Sequence, residues 1–325
     1  MTPELTCHFV HNPDMGYGRM GTRIFEALPR VGVDAHDGQD DSRRTNAACW
    51  FSVPSHARHW WSGQHASVLT MIESTRIPEG LLERLENFEV VMVPSQQNLE
   101  VFSEHHGNVH IVPLGVDDRW TFRPRTEPDM WFTFLCGGSG PRKGVDLATA
   151  AFRKVFGDFA GDGPIPRLVM KSPRGAEFFE PGDGIEIVSG KISAEEEVDL
   201  YASAHCYLQP SRGEGFGLQP LQAIAQGLPT ILTDAHGHAG FAHLGYGIPA
   251  GLSKAGYFAM GFAGDWWEPD LDALCERMRW VYDNYAEATA FAAEASEVAR
   301  SQFTWEHSAR AVVDVTWLEL DDLPV

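Results

Sequence analysis

The residues with the clearest chemical meaning lie between 213 and 229, in the run GEGFGLQPLQAIAQGLP. One carboxylate, Glu214, stands among Gly213, Gly215 and Gly217. Leu218, Leu221 and Ala225 then recur at helical spacing until Gly227 and Pro229 end the pattern. Glycines let bare backbone approach a ligand. The amides at a helix N-terminus are unpaired and share the direction of the helix dipole, so residues 215 to 218 make an anion site for which phosphate is the natural guest. The plainer reading is a strand-to-helix turn whose glycines serve geometry alone. A second glycine-rich run, Gly137 to Gly144, carries the adjacent cations Arg142 and Lys143 ahead of a helical stretch, Val145 to Phe156. These cations either meet an anion or are solvated on a turn.

Three further groupings carry ligand-type side chains. His56, His59 and His65 crowd a segment with Trp60 and Trp61 but lack a carboxylate at helical spacing, so packing and surface roles suit them better than a metal. His236, His238 and His243 follow Asp234 in a glycine-rich loop, either beside a ligand or, with Asp234, as a metal set. Asp270-Leu-Asp272 opens a helix, where aspartate is favoured by capping and by the dipole.

The elements that must position these residues alternate strand and helix. Ala202 to Pro210 reads as a strand, the Glu214 loop and its helix follow, and Thr230 to Asp234 reads as the next strand. Such an order is a βαβ unit with Glu214 at the C-terminal edge of a parallel sheet, where ligands bind. The N-terminus opens similarly, with a strand over Leu5 to Val10, a loop over Asn12 to Gly21, and a helix through Ile24 and Leu28. Gly16, Gly18 and Gly21 spell GxGxxG, but Asp34 and Asp37 lie in a polar, loop-like stretch, so no acid closes a second strand as a dinucleotide site requires. Ala66 to Ile72 is a buried parallel strand ending in Glu73, which either belongs to a polar strand-edge site or caps a helix over Pro78 to Phe88. Strands are expected at Cys49 to Val53, Phe88 to Pro94 and Val109 to Val112, with Ser95 capping a helix between the last two. A Pro- and charge-rich stretch, Asp117 to Asp129, reads as a linker. Trp131 to Cys136 opens a second sheet, Arg167 to Ser172 carries Lys171 near its end, Ile185 to Val188 follows, and Ser193 with Glu196 forms a capping box. The expected domains are 1–125, 126–303 and a closing helix, 304–325, with Trp305, Ala309, Val312, Val313 and Trp317 as core.

A chain of 325 residues suits two domains, and 43% hydrophobic content with 20 prolines and 32 glycines is that of a globular α/β protein. The net charge of -20 argues against duplex DNA and anionic membrane as partners, since the basic groupings are small: Arg43-Arg44, Arg142-Lys143 and Lys171. Five cysteines without CxxC spacing read as reduced core residues. Neither a signal pattern nor a membrane-length apolar run is present, so a cytoplasmic location is expected.

The segment PSRGEGFGLQPLQAIAQGLPTILTD resembles the signature of the retaining, nucleotide-sugar-dependent glycosyltransferases of the GT-B kind, family 4. VVMVPSQQNLEVF and VHIVPLGVD carry a weaker likeness to the same family. The resemblance implies an α/β fold of two Rossmann-like domains facing an interdomain cleft. It implies transfer of a hexose from a nucleotide diphosphate sugar, such as a UDP- or GDP-sugar, with retention of configuration and with neither cofactor nor metal. The acceptor is left open among a sugar, a small metabolite and a protein. The family motif is a Glu, seven residues, and a second Glu. Glu214 matches the first, and Gln222 departs at the second, where a neutral amide would bond the ribose. By resemblance Glu214 and Glu73 are the catalytic candidates. Gly138, Arg142, Lys143, Lys171, Gly215, Phe216, Gly217 and Leu218 would hold the donor and its phosphates, with Gly138 roughly where the family places an Arg. The loop of Asp14, Gly16 and Gly18 would face the acceptor, and Val188 to Lys191 would abut the base. The departures at Gln222 and Gly138 motivate the alternative, a non-catalytic GT-B-like binding or partner subunit.

Overall fold

The computed structural model describes residues 2–12, 16–39, 45–52, 64–172, 175, 177, 179–254 and 264–321. The chain divides into two compact units, Met1–Gly115 with Tyr257–Gly264 and Phe303–Val325, and Val116–Gly256 with Asp265–Gln302.

In the first unit β1 (Glu4–Phe9), β2 (Asp34–Asp37), β3 (Ala47–Phe51), β4 (His65–Leu69), β5 (Val90–Val93) and β6 (Val109–Ile111) form one parallel sheet in the order β2-β1-β3-β4-β5-β6. β3, β4 and β5 are buried along their whole lengths, as strands covered on both faces must be. Helices α1 (Gly16–Ala27), α2 (Glu79–Leu85) and α3 (Gln96–Ser103) connect them. Ser95 caps α3 by accepting from the Asn98 amide.

Several expectations for this unit need correction. Asp34 to Asp37 is not a loop but the edge strand β2, in register with Glu4 to Cys7 of β1. Asp34 is exposed and His36 buried, so the ladder and the burial of alternate residues override the poor strand propensity of aspartate. Asp37 closes the strand, and its carboxylate lies 2.9 Å from Nε2 of His11. Likewise Gly16, Gly18 and Gly21 belong to α1 rather than to a loop. A Cβ on Gly18 would lie 1.9 Å from the Asn12 carbonyl oxygen, and one on Gly21 would lie 2.4 Å from Cβ of Phe9. These glycines therefore let α1 pack closely on the end of β1. Asp14, Arg43, Arg44, Val53, His56, His59, Trp60 and Trp61 lie outside the described residues.

Glu73 sits half-buried in the turn beyond β4, and it does not cap α2, whose N-cap is Pro78. That turn is tied to α1 by the Tyr17 hydroxyl, which donates to the Met71 carbonyl at 2.8 Å and accepts from its amide at 3.1 Å. The closing helix, Trp305–Asp321, packs on α1 through a face that includes the buried Trp305, Ala309, Val312 and Val315. Val313 and Trp317, expected in the core, are only half-buried, because the buried stripe runs through Val315 and Thr316 instead.

In the second unit β7 (Trp131–Gly137), β8 (Ile165–Ser172), β9 (Ile185–Ser189), β10 (Cys206–Gln209), β11 (Thr230–Thr233) and β12 (Tyr246–Ile248) form a parallel sheet in the order β12-β11-β10-β7-β8-β9. The chain winds outward from β7 to β9, returns, and winds the other way from β10 to β12. This is the doubly wound order, and its switch point falls between β7 and β10. The helices are α4 (Val145–Phe156), α5 (Ala194–Ala202), α6 (Leu218–Ala225), α7 (Leu271–Asp283) and α8 (Tyr285–Gln302), and an antiparallel pair, β13 (Ala250–Lys254) and β14 (Asp265–Pro269), precedes α7. Phe132 and Phe134 of β7, Phe152 and Phe156 of α4, and Leu274, Met278 and Val281 of α7 share one core. The strand expected from Ala202 begins only at Cys206, because the Ser193–Glu196 capping box starts a helix that runs to Ala202. Residues 117 to 129 are irregular but anchored: Trp120 is buried edge-on to Tyr201, and the Arg125 guanidinium donates to the carbonyls of Tyr201, Ala202, Ala204 and Gln226. All five cysteines are free and buried. No described helix is long and apolar enough to cross a membrane.

Candidate active site

Because β7 and β10 are parallel neighbours, the loops leaving their C-terminal ends run side by side at the switch point. One loop holds Gly138, Arg142 and Lys143 ahead of α4; the other holds Glu214 ahead of α6. Arg212 stitches them together. Its amide donates to the Arg142 carbonyl at 2.7 Å, and its guanidinium grips both Asp146 oxygens at 2.8 Å and the Glu268 oxygens at 2.6 and 2.8 Å. In return Arg142 donates to the Gly213 carbonyl at 2.5 Å. The forked guanidinium suits this double bidentate grip, which a lysine could not reproduce.

Glu214 is buried at the meeting point. Lys143 Nζ lies 2.6 Å from one carboxylate oxygen, and Arg142 lies 3.4 Å from the other. Burial alone pushes this carboxyl up, but Lys143 and Arg142 outweigh it and hold the group at about 2, ionised at neutral pH. Gly138 sits under this pair: with φ +116°, any Cβ there would lie 2.8 Å from Cγ of Lys143. The space beside Gly138 is thus filled by the Lys143 stem. Gly217 caps α6 at φ +108°, and the His238 ring lies 2.4 Å from where its Cβ would be, so only glycine fits.

Behind Glu214 runs a strap formed by residues 236 to 238. The Gly237 amide donates to the Glu214 carbonyl at 2.9 Å. His236 donates from Nε2 to the Ser211 carbonyl at 3.1 Å, and His238 donates from Nδ1 to the Thr233 carbonyl at 3.3 Å. Burial drives both rings down, His236 to about 4, so they are neutral at pH 7. Their remaining nitrogens, Nδ1 of His236 and Nε2 of His238, are buried without a hydrogen-bond partner. His236 also holds φ +44°, a strained conformation for a non-glycine residue. His243 is exposed.

The other candidates fall as follows. Gly215, Phe216, Gly217 and Leu218 form the mouth of α6, with Phe216 packed on Phe241 at 5.4 Å. Gln222 is buried on α6, where a neutral amide avoids the desolvation that a carboxylate would suffer. Lys171 ends β8 paired with Glu197 of α5. Glu73, Gly16 and Gly18 belong to the first unit. Among the described residues, the group of three with metal-ligand spacing is Glu4, Asp34 and His36; Asp234, His236 and His238 do not form one. Sequence reasoning missed the Arg212 clamp, whose only local signal is an arginine next to the glycine loop.

Residues 93–312 match the family described as family 4 glycosyltransferase in conflict systems. The mannosyltransferase LpsB of lipopolysaccharide core biosynthesis in Rhizobium meliloti is 30% identical over 117 residues, which are 36% of this chain and 30% of LpsB. The D-inositol 3-phosphate glycosyltransferase of Rhodococcus erythropolis is 24% identical over 193 residues, 56% of this chain and 40% of the relative. The chain thus spans less than half the length of either. Among solved structures, sucrose-phosphate synthase from Thermosynechococcus elongatus aligns with a TM-score of 0.71 over 99% of this chain and 100% of that one, at 15% identity. WaaG, a glycosyltransferase of lipopolysaccharide biosynthesis, gives 0.58 over 96% and 99%, at 16% identity. These likenesses fix the architecture as GT-B. With a family match running from the end of β5, through both loops at the switch point, into the closing helix, the chain belongs to the family 4 glycosyltransferases of conflict systems.

Proposed function

We propose that this glycosyltransferase moves a hexose from a nucleotide diphosphate sugar to an acceptor with retention of anomeric configuration and without a metal. The observation that carries this reading is the meeting of Lys143, Arg142, the ionised Glu214 and the α6 N-terminus at one switch point. As the glycosidic bond breaks, charge accumulates on the departing diphosphate. Lys143, Arg142 and the amides of residues 215 to 218 stabilise it there, doing the work a metal would otherwise do. Glu214 holds the sugar hydroxyls and steadies the positive charge growing on the ring. Gln222 bonds the ribose, Lys171 supports the nucleotide side, and Glu73 with the Asp14 to Gly18 segment serves the acceptor side. The donor is a UDP- or GDP-sugar. The charge of -20 favours a sugar, small metabolite or protein acceptor over nucleic acid or membrane.

Thermal unfolding against UDP, GDP, ADP and dTDP and their sugars tests this directly. A ligand present at 100 times its dissociation constant adds about 2.7 kcal/mol. The expected outcome is a raised Tm with one nucleotide sugar, unchanged by EDTA and lost in Lys143→Ala, and a hydrolysis product with the donor's anomeric configuration. The neutral Gln222 favours a second reading, a binding subunit, and donor binding without any hydrolysis would decide for it.

A further inference from the structure

The reading above gives Lys143 and Arg142 to the donor's phosphates, yet the structure sets both against Glu214, at 2.6 and 3.4 Å. We propose that the Glu214 carboxylate and the donor's diphosphate compete for these two cations, so that donor binding moves them from carboxylate to phosphate and frees Glu214 for the sugar. This inference rests on the proposed function and adds a built-in competitor to it.

Charge counting around the site gives the reason. Two cations and one carboxylate leave a local balance of +1, whereas a nucleoside diphosphate brings at least two negative charges. The neighbouring side chains offer no relief. Arg212 is committed to Asp146 and Glu268 through both faces of its fork. His236 and His238 are neutral and spend their N–H groups on the carbonyls of Ser211 and Thr233. A diphosphate seated on Lys143 and Arg142 therefore lies beside an anion that shares its cations, in a buried setting where such repulsion is screened little.

Geometry decides which part gives way. The backbone around Glu214 is pinned on both sides, by the Gly237 amide on the Glu214 carbonyl and by the Arg212 amide on the Arg142 carbonyl. The loop stays in place while the carboxylate swings. Lysine suits the exchange, because its ammonium is a point charge on a flexible stem and can change partners by rotation. The stem of Lys143 crosses Gly138, where the missing side chain leaves it room.

Calorimetric titration of UDP, GDP, ADP and dTDP into the full chain and its variants tests the competition. Glu214→Gln should bind the recognised nucleoside diphosphate at least tenfold more tightly than the unmutated chain while losing sugar transfer. In a Lys143→Gln background the same substitution should change affinity less than threefold, since the nearer of the two contested cations is gone and only the one at 3.4 Å remains. That double variant removes one charge of each sign and keeps the folded balance. If Glu214→Gln fails to fold, Glu214→Asp, which draws the charge back from Lys143, should tighten binding about threefold. Unchanged or weaker binding in these variants overturns the competition and leaves the nucleotide-sugar reading standing. Absence of binding by all four nucleotides to every protein, unmutated chain included, overturns that reading and the competition with it.

Discussion

Glu214, His236 and His238 lie close together, and burial of the two rings and the cations beside the carboxylate shift their protonation in directions that make the fold sensitive to acid. His236 titrates near 6.5 in the unfolded chain and at about 4 in the folded one. Above pH 6.5 both forms are neutral and nothing is lost. Between pH 6.5 and 4 the unfolded chain takes a proton that the folded chain refuses, so stability falls, by about 3 kcal/mol for this ring. His238 adds a loss of the same sign. Glu214, held at about 2 against 4.5 unfolded, keeps its contribution until the pH drops below 4.5 and yields it between there and 2. Urea unfolding from pH 8 to 5 should therefore show falling stability. His236→Asn, which tolerates the left-handed backbone and does not titrate, should flatten that slope. A slope unchanged by the substitution would contradict the assignment. The sequence made Glu214 and its glycines visible through their spacing, but the pairing of Glu214 with Lys143 joins two distant loops and has no local signature.

Elements were legible where punctuation marked them and obscure where pairing alone decided. Gly144 ahead of α4, Ser193 with Glu196 ahead of α5, and Gly217 with Gly227 around α6 set boundaries that capping chemistry fixes locally. β2 was invisible because its residues, Asp-Ala-His-Asp, favour a strand only beside β1. α1 was read too short because glycine usually breaks helices, whereas here Gly18 and Gly21 are required by contact. The Arg212 clamp lives at this scale too. It fastens the start of α4, the Pro141–Arg142 turn and β14 to the Glu214 loop. Arg212→Gln leaves the partly exposed Asp146 and Glu268 carboxylates without their cation and should cost about 1–2 kcal/mol. The measurement is Tm together with donor hydrolysis. Arg212→Lys should recover part of the stability but little turnover, because one ammonium cannot hold both carboxylates in register. Full activity in the lysine variant would show that the clamp does not set the site.

At the scale of the whole molecule, the two units differ in how the chain supplies them. Every strand of the second sheet and its core lie within 116–302, so a fragment of those residues should fold alone and bind the same nucleoside diphosphate as the full chain. A fragment ending at Gly115 lacks the closing helix, whose Trp305, Ala309 and Val312 are buried and whose Ser308 donates to the Pro113 carbonyl at 2.6 Å. Burying large apolar side chains is worth about 1.5–3 kcal/mol each, a large share of a domain's stability, so circular dichroism should find that fragment largely unfolded. A folded 1–115 fragment would contradict this. The same detour has a consequence in time. A ribosome finishes residues 2–115 and must then make the whole second unit before it reaches Trp305, an interval of roughly ten to forty seconds at about 5–20 residues per second. For that interval the newborn first unit waits without the helix it needs to complete its core. During synthesis it is a client for any holdase within reach, and the second unit, though made later, is the first to be complete.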